Sequence, residues 1–523
     1  MSNRDVSVSQ SYHESTKLAY INLSNKPPLY KTYSGVPKIS LPDDFPELQA
    51  SALAAVSGSG STAAAALDLA ELAQLLYFSA GVIRKGVFPS AGELHFRAAA
   101  SAGGLYPVET YLVCRDIPGL EAGVYHFSPS DFSLDQLRAG DYRGELARAA
   151  AGVAAVAGAA AIFVFSSFFW RSSWKYRTRG YRYCFWDNGT VAANLLASAA
   201  AAGLPAQLMA GFIDGRVNQL IGIDGQREAS VCLVPVGPGD GSPPVARPSY
   251  LPPITARAVD TAPGEIDYPE IRQTHAATLL NTEDEVAAWR QPWTGTNPPA
   301  SGESYPLLAP ANGRLDPMAL GETIRQRGST RRFAREPISF ASFSAMLDCA
   351  TLGVSSDYLA SSASLLDLYL IVHEVEDLPA GSYYFSRERA QLELLQPGDF
   401  REEAGHLGFE QALPADASAV AFFMADLDRV LEQFGNRGYR TAQLEAGILG
   451  GRLYLCAHAL GLGASGLTFY DEDVTNFFSP HARGKSAMFV VPLGRTGRPN
   501  RVRPFRSKIA ITLDSLSRGA ARQ

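Results

Sequence analysis

Apolar and polar positions follow two periods along this chain, and the order of those periods occurs twice. From Leu67 to Gly81 apolar residues recur at helical spacing, echoed from Phe340 to Gly353. Short apolar runs rich in β-branched and aromatic residues predict strands at Glu109 to Cys114 and at Asp367 to Val372, with a hairpin around Gly123 to Leu137 after the first. Next come a helix, a buried strand such as Ala161 to Phe165, a basic aromatic segment, and a long Ala-rich helix from about Asn188 to Ala202 with Gly203 as its C-cap. Last strands are predicted at Val231 to Val236 and at Ala487 to Leu493. Helices alternating with a few strands that include a hairpin place the fold in the α+β class.

The stretch from Ala149 to Trp170 has no charged residue and, against the roughly 20 helical residues that a bilayer needs, is long enough to imitate a membrane span. An internal repeat excludes that reading. The segment GVYHFSPSDFSLDQLRAGDYR starting at Gly123 aligns with GSYYFSRERAQLELLQPGDFR starting at Gly381, a shift of 258 with nine of 21 pairs identical. The same shift, without a gap, sets Arg179-Gly180-Tyr181-Arg182 on Arg437-Gly438-Tyr439-Arg440 and Tyr111 on Tyr369. A constant offset over such a span identifies two tandem copies of one domain and excludes a short-repeat solenoid. Under it Ala157 to Phe165 falls on Ala415 to Phe423, where Asp416 and the upstream Glu410 interrupt the apolar run. Both segments therefore read as a helix leading into a buried strand.

Composition supplies the boundaries. Residues 1–49 read as an irregular arm, 50–240 as the first domain, 241–312 as a Pro/Gly-rich linker, 313–500 as the second domain and 501–523 as a tail. The linker holds one helix-like patch, YPEIRQTHAATLLNTEDEVAAWR, whose His275 reads as a surface or structural histidine rather than a ligand. With 46 Lys plus Arg against 52 Asp plus Glu, the formal charge of −6 does not suit a protein that lives on nucleic acid or anionic membrane. Cys114, Cys184, Cys232, Cys349 and Cys456 stand apart without C-x-x-C spacing, so neither a metal site nor a disulfide framework is signalled. The start, MSNRDVSVSQSYHEST, lacks the apolar stretch of a secretory signal. A cytoplasmic protein is expected.

Three segments can carry chemistry. In RAAASAGGLYPVETY (Arg97 to Tyr111), Ser101, Ala102, Gly103 and Gly104 have almost no side chain, so backbone N–H groups can approach a phosphate or a flat ring. A plain turn is the other reading, and no G-x-G-x-x-G supports a dinucleotide site. In WKYRTRGYRY (Trp174 to Tyr183) the RGYR core recurs in the second copy and reads as structural, whereas Lys175 and Tyr176 face Gln433 and Phe434 and so exist in one copy alone. A single active site in a duplicated scaffold leaves such a pair. The crowd of Arg171, Arg177, Arg179 and Arg182 is expected to favour a phenolate at Tyr176 and to disfavour the ammonium of Lys175; a solvated lysine beside a core aromatic is the alternative. RGSTRRF (Arg327 to Phe333) gathers guanidinium forks suited to phosphate oxygens, or to plain solvated surface. The first copy has no such opening, and the second has SSAS where the first has GGLY.

On the strings S-A-G-G-x-Y-P-x-E-x-Y and K-Y-R-x-R-G-Y-R-Y, with the opening SYHESTKL and PPLYKTYSGVPKISLP, the chain resembles the flavin-dependent nitroreductase superfamily, specifically the SagB/ThcOx-type dehydrogenases of peptide natural-product pathways. The resemblance implies two tandem nitroreductase-like domains, each a central antiparallel-type sheet flanked by helices, forming an internal pseudo-dimer with a noncovalent FMN between them. It implies that Arg97, Ser101, Ala102, Gly103, Gly104 and Gly211 line the flavin, that Arg327, Ser329 and Arg331 form an R-x-S-x-R phosphate motif, and that Lys175 and Tyr176 are the catalytic pair. The implied function is a two-electron oxidation of a peptide-derived or related small-molecule substrate, such as azoline to azole, beside biosynthetic partner proteins, by the pseudo-dimer or a further homodimer of it. An NAD(P)H-dependent nitro or quinone reductase and a catalytically silent scaffold partner are the alternatives.

Overall fold

The computed structural model describes residue 10 and residues 25–58, 66–88, 92–238, 251–254, 256–258, 264–295, 302–308, 315–361 and 363–497. The first copy is built on six strands in the order Lys38–Ser40, Ser133–Ala139, Gly123–Ser128, Val108–Cys114, Ala161–Phe168, Glu228–Val236. The second takes seven, Ser304–Pro306, Gln391–Pro397, Gly381–Ser386, Leu366–Val372, Ala419–Ala425, Ser486–Gly494, Gly463–Ala464. Every neighbouring pair in both sheets is antiparallel. All five strands between Val108 and Val236 start at the repeat's own offset from their counterparts, and the bulges at Val124/Tyr125 and Phe165/Ser166 recur at Ser382/Tyr383 and Phe423/Met424. The duplication therefore extends to register, in an α+β fold of two like domains.

The charge-free stretch holds the helix Ala154–Gly158 and the strand Ala161–Phe168, which lies mid-sheet with every residue buried. Both faces of that strand are covered, which accounts for its apolar run without a membrane. Among the described residues no helix is long and apolar enough to cross a membrane.

A capping box sets the first long helix, Leu69–Ala80: the Asp68 carboxylate accepts from the backbone of Ala70 and Glu71 at 2.7 and 3.0 Å, and Glu71 accepts from Asp68 N at 3.3 Å. Its counterpart, Phe340–Thr351, stands closer to its own sheet than the common offset would put it, so the first copy has the longer stretch of chain between this helix and the strand where the shared register resumes. The extra length goes into a two-stranded hairpin, Val82–Phe88 with Gly92–Arg97. The apolar pattern gave no sign of it because part of it faces solvent; Val87 is 75% exposed. The arm, read as irregular, supplies the edge strand Lys38–Ser40, too short to show a period, while the linker supplies the edge strand Ser304–Pro306 and the helices Pro269–Ala277 and Glu283–Trp289.

The copies meet along their longest helices, Gly180–Ala201 and Leu427–Ala459. Both begin earlier than the Ala-rich pattern indicates, because the basic aromatic segments are themselves largely helical. The helices cross at Gly189 and Gly447, positions that the repeat makes equivalent. A Cβ on Gly189 would stand 2.5 Å from the Gly447 backbone, and one on Gly447 2.4 Å from the carbonyl oxygen of Trp186. The two RGYR strings act as reciprocal clasps: Arg179 and Arg182 pair with Asp471 of the second copy, and Arg437 and Arg440 with Asp214 of the first. One apolar core runs through both copies.

Candidate active site

The small-residue turn lies between the hairpin and the strand Val108–Cys114. Gly103 and Gly104 have φ of 65° and 64°, a left-handed conformation that glycine adopts without a steric cost. Asp187, on the helix Gly180–Ala201, holds the turn from below. It accepts from the Ser101 hydroxyl at 2.5 Å and from Ala102 N at 3.0 Å, while Ser101 Oγ accepts from Tyr106 N at 2.8 Å. Among the described residues no cation acts on this carboxyl; burial pushes its pKa up to about 7 against the two hydrogen bonds that favour the anion.

Lys175 and Tyr176 end the helix Phe169–Tyr176. The chain then reverses at Arg177, with φ 52° and ψ −138°, at the place where the second copy has Gly435 with φ 59° and ψ −161°. An arginine in that conformation is strained by roughly 1–3 kcal/mol. The reversal sets the pair against the turn: a Cβ on Gly103 would lie 2.8 Å from the Tyr176 hydroxyl and 3.1 Å from Lys175 Nζ. Gly104 opens on free space. Arg331, from the second copy, lies within electrostatic reach of both Lys175 and Tyr176.

The electrostatics agree with the sequence expectation in direction for Lys175 and oppose it for Tyr176. Lys175 is exposed, and its pKa is lowered by partial burial first, then by Arg331 and Lys26. Tyr176 is half-buried and moves the other way, its phenol pushed up by burial, with Tyr183 and Asp187 adding to the rise and Arg331 opposing it. The four arginines of the expected crowd are not among the charges acting on the pair: Arg171 is engaged with Glu109 and the carbonyls of Pro28 and Tyr106, Arg179 and Arg182 with Asp471, and Arg177 acts on Tyr268.

The R-x-S-x-R segment is anchored to both copies. Arg327 donates to the carbonyls of Ala98 and Arg97 at 3.0 and 3.3 Å, Ser329 Oγ lies 3.1 Å from the Tyr454 hydroxyl, and Thr330 N donates to Ala464 O at 2.9 Å. Arg97 is buried beneath the turn, its guanidinium between Tyr30 and Tyr106 and bonded to Leu29 O and Val108 O at 2.6 and 3.3 Å. The structure thus brings Gly103, Lys175, Tyr176 and Arg331 together, with Ser101, Ala102 and Gly104 in the same turn and Arg327 and Ser329 on the same segment as Arg331.

Gly211 stands elsewhere. Its N–H and that of Ala210 donate to the Asp357 carboxylate at 3.0 and 2.8 Å, and a Cβ on it would touch the Trp289 ring at 2.9 Å. This is the pseudo-equivalent place of the other half, where Gln433 and Phe434 replace Lys175 and Tyr176. The linker fills it: Trp289 Nε1 donates to Phe434 O at 3.1 Å, Trp293 Nε1 to Ser364 O at 2.9 Å, and Arg290 to Gly211 O at 3.0 Å. Glu445, the repeat's counterpart of Asp187, accepts from Ser364 and Leu365 and is likewise pushed up to about 7.

The offset sets Ala210 and Gly211 on Thr468 and Phe469, residues that sequence reasoning missed. Tyr183, whose ring packs edge-on to Tyr176 at 4.3 Å, donates to Thr468 Oγ1 at 3.1 Å. Among the described residues the N–H groups of Thr468 and Phe469 have no partner, whereas their counterparts are held by Asp357. Asp187 was also missed, though a carboxylate at the same register of two apolar helices was visible in the alignment. His275 packs between Tyr181 and Phe169, and burial pulls its pKa down to about 3, as a structural histidine requires.

The sequence profile of the nitroreductase family matches residues 58–238 and 324–495. A Methanocaldococcus jannaschii protein bearing the name nitroreductase is 31% identical over 171 residues, covering 33% of this chain and 81% of that protein. The crystal structure of an Anabaena variabilis protein of the same name matches with a TM-score of 0.71 and 26% identity, over 93% of this chain and 99% of that one.

Proposed function

We propose, from the premise that the chain belongs to the nitroreductase family, that it is an FMN-dependent dehydrogenase of the SagB/ThcOx type, removing two electrons from a peptide-derived or related heterocycle, with azoline to azole as the model reaction. The observation that carries this reading is the meeting of Gly103, Lys175 and Tyr176 in one copy, with Arg331 of the other copy within electrostatic reach of the pair. The residues present fit a flavin mononucleotide. Thr468 and Phe469 offer two N–H donors without a partner among the described residues, Gly104 leaves open space, and Arg327, Ser329 and Arg331 offer cationic and hydroxyl partners to phosphate and to a polar ring edge. When bound, FMN supplies a two-electron acceptor.

Aromatising an azoline removes a proton and a hydride equivalent, and the proton falls to this chain's own residues. Lys175, whose amine is freed below the ordinary lysine pKa, accepts it. Tyr176 stays a phenol and donates a hydrogen bond. A positioned base of this kind contributes roughly 100-fold to 10,000-fold. Partner proteins would deliver the peptide.

The test is the visible spectrum of the purified protein, followed by separate additions of NAD(P)H and of a thiazoline peptide. Yellow protein that NAD(P)H leaves oxidised and that converts the thiazoline supports the reading. Rapid bleaching by NAD(P)H reassigns the site to a nitro or quinone reductase, and colourless protein that takes up no FMN makes the chain a scaffold partner.

A further inference from the structure

Two buried guanidinium groups meet at the boundary between the copies with no acid beside them among the described residues. Arg84, on the hairpin strand Val82–Phe88, is 4% exposed. Its Nη1 reaches the carbonyl oxygen of Gln326 at 3.5 Å, next in sequence to Arg327, and its Nε has no partner among the described residues. Arg327 is equally buried and, among the described residues, donates hydrogen bonds only to the carbonyls already named. His458 closes the group, accepting from Gly328 N at 3.3 Å, and the two arginines help burial pull its pKa down to about 4. The charges acting on Arg84 come from Arg327 and Tyr106, and those on Arg327 from Tyr454 and Tyr106; neither set contains Asp or Glu.

Other buried arginines have an acid acting on them or a helix end to cap. Arg171 has Glu109, Arg437 and Arg440 share Asp214, Arg97 and Arg452 donate to carbonyls but feel the charges of Glu109 and Glu445, and Arg138 caps the carbonyls of Gln219 and Leu220 at a helix end. Like charges held out of water without a counter-charge are costly, and an orphaned N–H adds to the cost. A multiply charged anion removes both penalties.

We propose that Arg84 is the second guanidinium of the flavin phosphate subsite, gripping the 5′-phosphate from the first copy while Arg327 and Ser329 hold it from the second. The inference rests on the FMN reading. Two planar forks suit the several oxygens of a phosphate dianion. Arg84 sits on the hairpin that the first copy alone has, so the subsite forms once per chain, and nothing in the R-x-S-x-R motif points to it.

The experiment compares Arg84→Gln and Arg84→Lys with the parent, all stripped of ligand, for binding of FMN and of riboflavin by fluorescence titration, and for melting temperature without ligand. The expected result is a loss of FMN affinity of roughly 10-fold to 100-fold in Arg84→Gln, riboflavin affinity unchanged within about twofold, and a ligand-free melting temperature at or above the parent's, since a repulsive charge is gone. Arg84→Lys should recover part of the FMN affinity. Equal weakening of FMN and riboflavin, or no change in either, overturns the proposal. If the parent binds neither flavin, inorganic pyrophosphate is the probe: thermal stabilisation by it that Arg84→Gln abolishes keeps the anion subsite while the FMN reading falls, and no stabilisation of the parent overturns both.

Discussion

Replacing Asp187 with Asn should flatten the pH dependence of stability between pH 5 and pH 8. The native carboxyl has a pKa near 7, against about 3.9 in an unfolded chain. The folded protein therefore binds this proton more tightly than the unfolded one. The contribution to stability is fully present below about pH 4 and is lost as the pH rises through about 7. Linkage gives a loss of about 1.5 kcal/mol by pH 5 and about 4 kcal/mol by pH 8, so the change across that interval is roughly 2–3 kcal/mol. Asn keeps the shape, can accept from Ala102 N and donate to Ser101 Oγ, and does not titrate. Urea unfolding of ligand-free parent and variant at pH 5, 6.5 and 8, followed by tryptophan fluorescence, reads the difference. The parent should lose roughly 2–3 kcal/mol relative to Asp187→Asn between the two ends. Parallel curves for the two proteins would refute the claim that burial without a cation governs this carboxyl. Glu445→Gln offers the same experiment in the second copy, with the same sign.

Lys175→Ala and Tyr176→Phe should bind FMN like the parent, and Lys175→Ala should lose roughly 100-fold to 10,000-fold in turnover. The parent's rate should rise with pH to a plateau reached below the ordinary lysine pKa, and Arg331→Gln at saturating FMN should move that limb upward because Arg331 helps hold the pKa down; an unmoved limb would place the base elsewhere. Extraction and quantitation should give one FMN per chain, since Trp289, Trp293 and Asp357 fill the second pseudo-equivalent place, and a ratio near two would contradict this. Gly447→Ala should lower the melting temperature, by an overpacking cost of roughly 1–3 kcal/mol, whereas Gly215→Ala, with nothing within 4 Å of its Cβ position, should not; equal effects would deny the close helix crossing.

The sheets were legible because their strands are buried on both faces, and the offset of 258 carried one reading across to the other copy. The start of the helix Gly180–Ala201 was hidden by a basic aromatic composition that has no apolar stripe. The hairpin carrying Arg84 was hidden because part of it faces water and it has no counterpart in the other copy. Lys175 and Tyr176 stood out as unpaired in the alignment, and the lowered pKa of Lys175 was legible in direction; the raised phenol of Tyr176 was not, since Arg171 and Arg179 each find an acid that sequence distance cannot reveal. Gly211 shows the limit most clearly. Sequence can align it with Phe469 but cannot say which copy's closing turn faces which small-residue turn, because that exchange arises only when the helices cross at Gly189 and Gly447.

In an assembly of two identical chains, every substitution is imposed on both sites at once, so neither can change without the other. Fusion into one chain lifts that identity constraint. Lys175 and Gln433 occupy one position in two copies, as do the N–H pair at Thr468–Phe469, without a partner among the described residues, and the pair that Asp357 ties down at Ala210–Gly211. One half of the molecule has become an internal joint for the linker, and under the proposed function the other receives the ligand. A substitution around Trp289 should therefore register as a change in stability, and a substitution at the mirror place in the other half as a change in chemistry; the two halves can be altered independently although they share one fold.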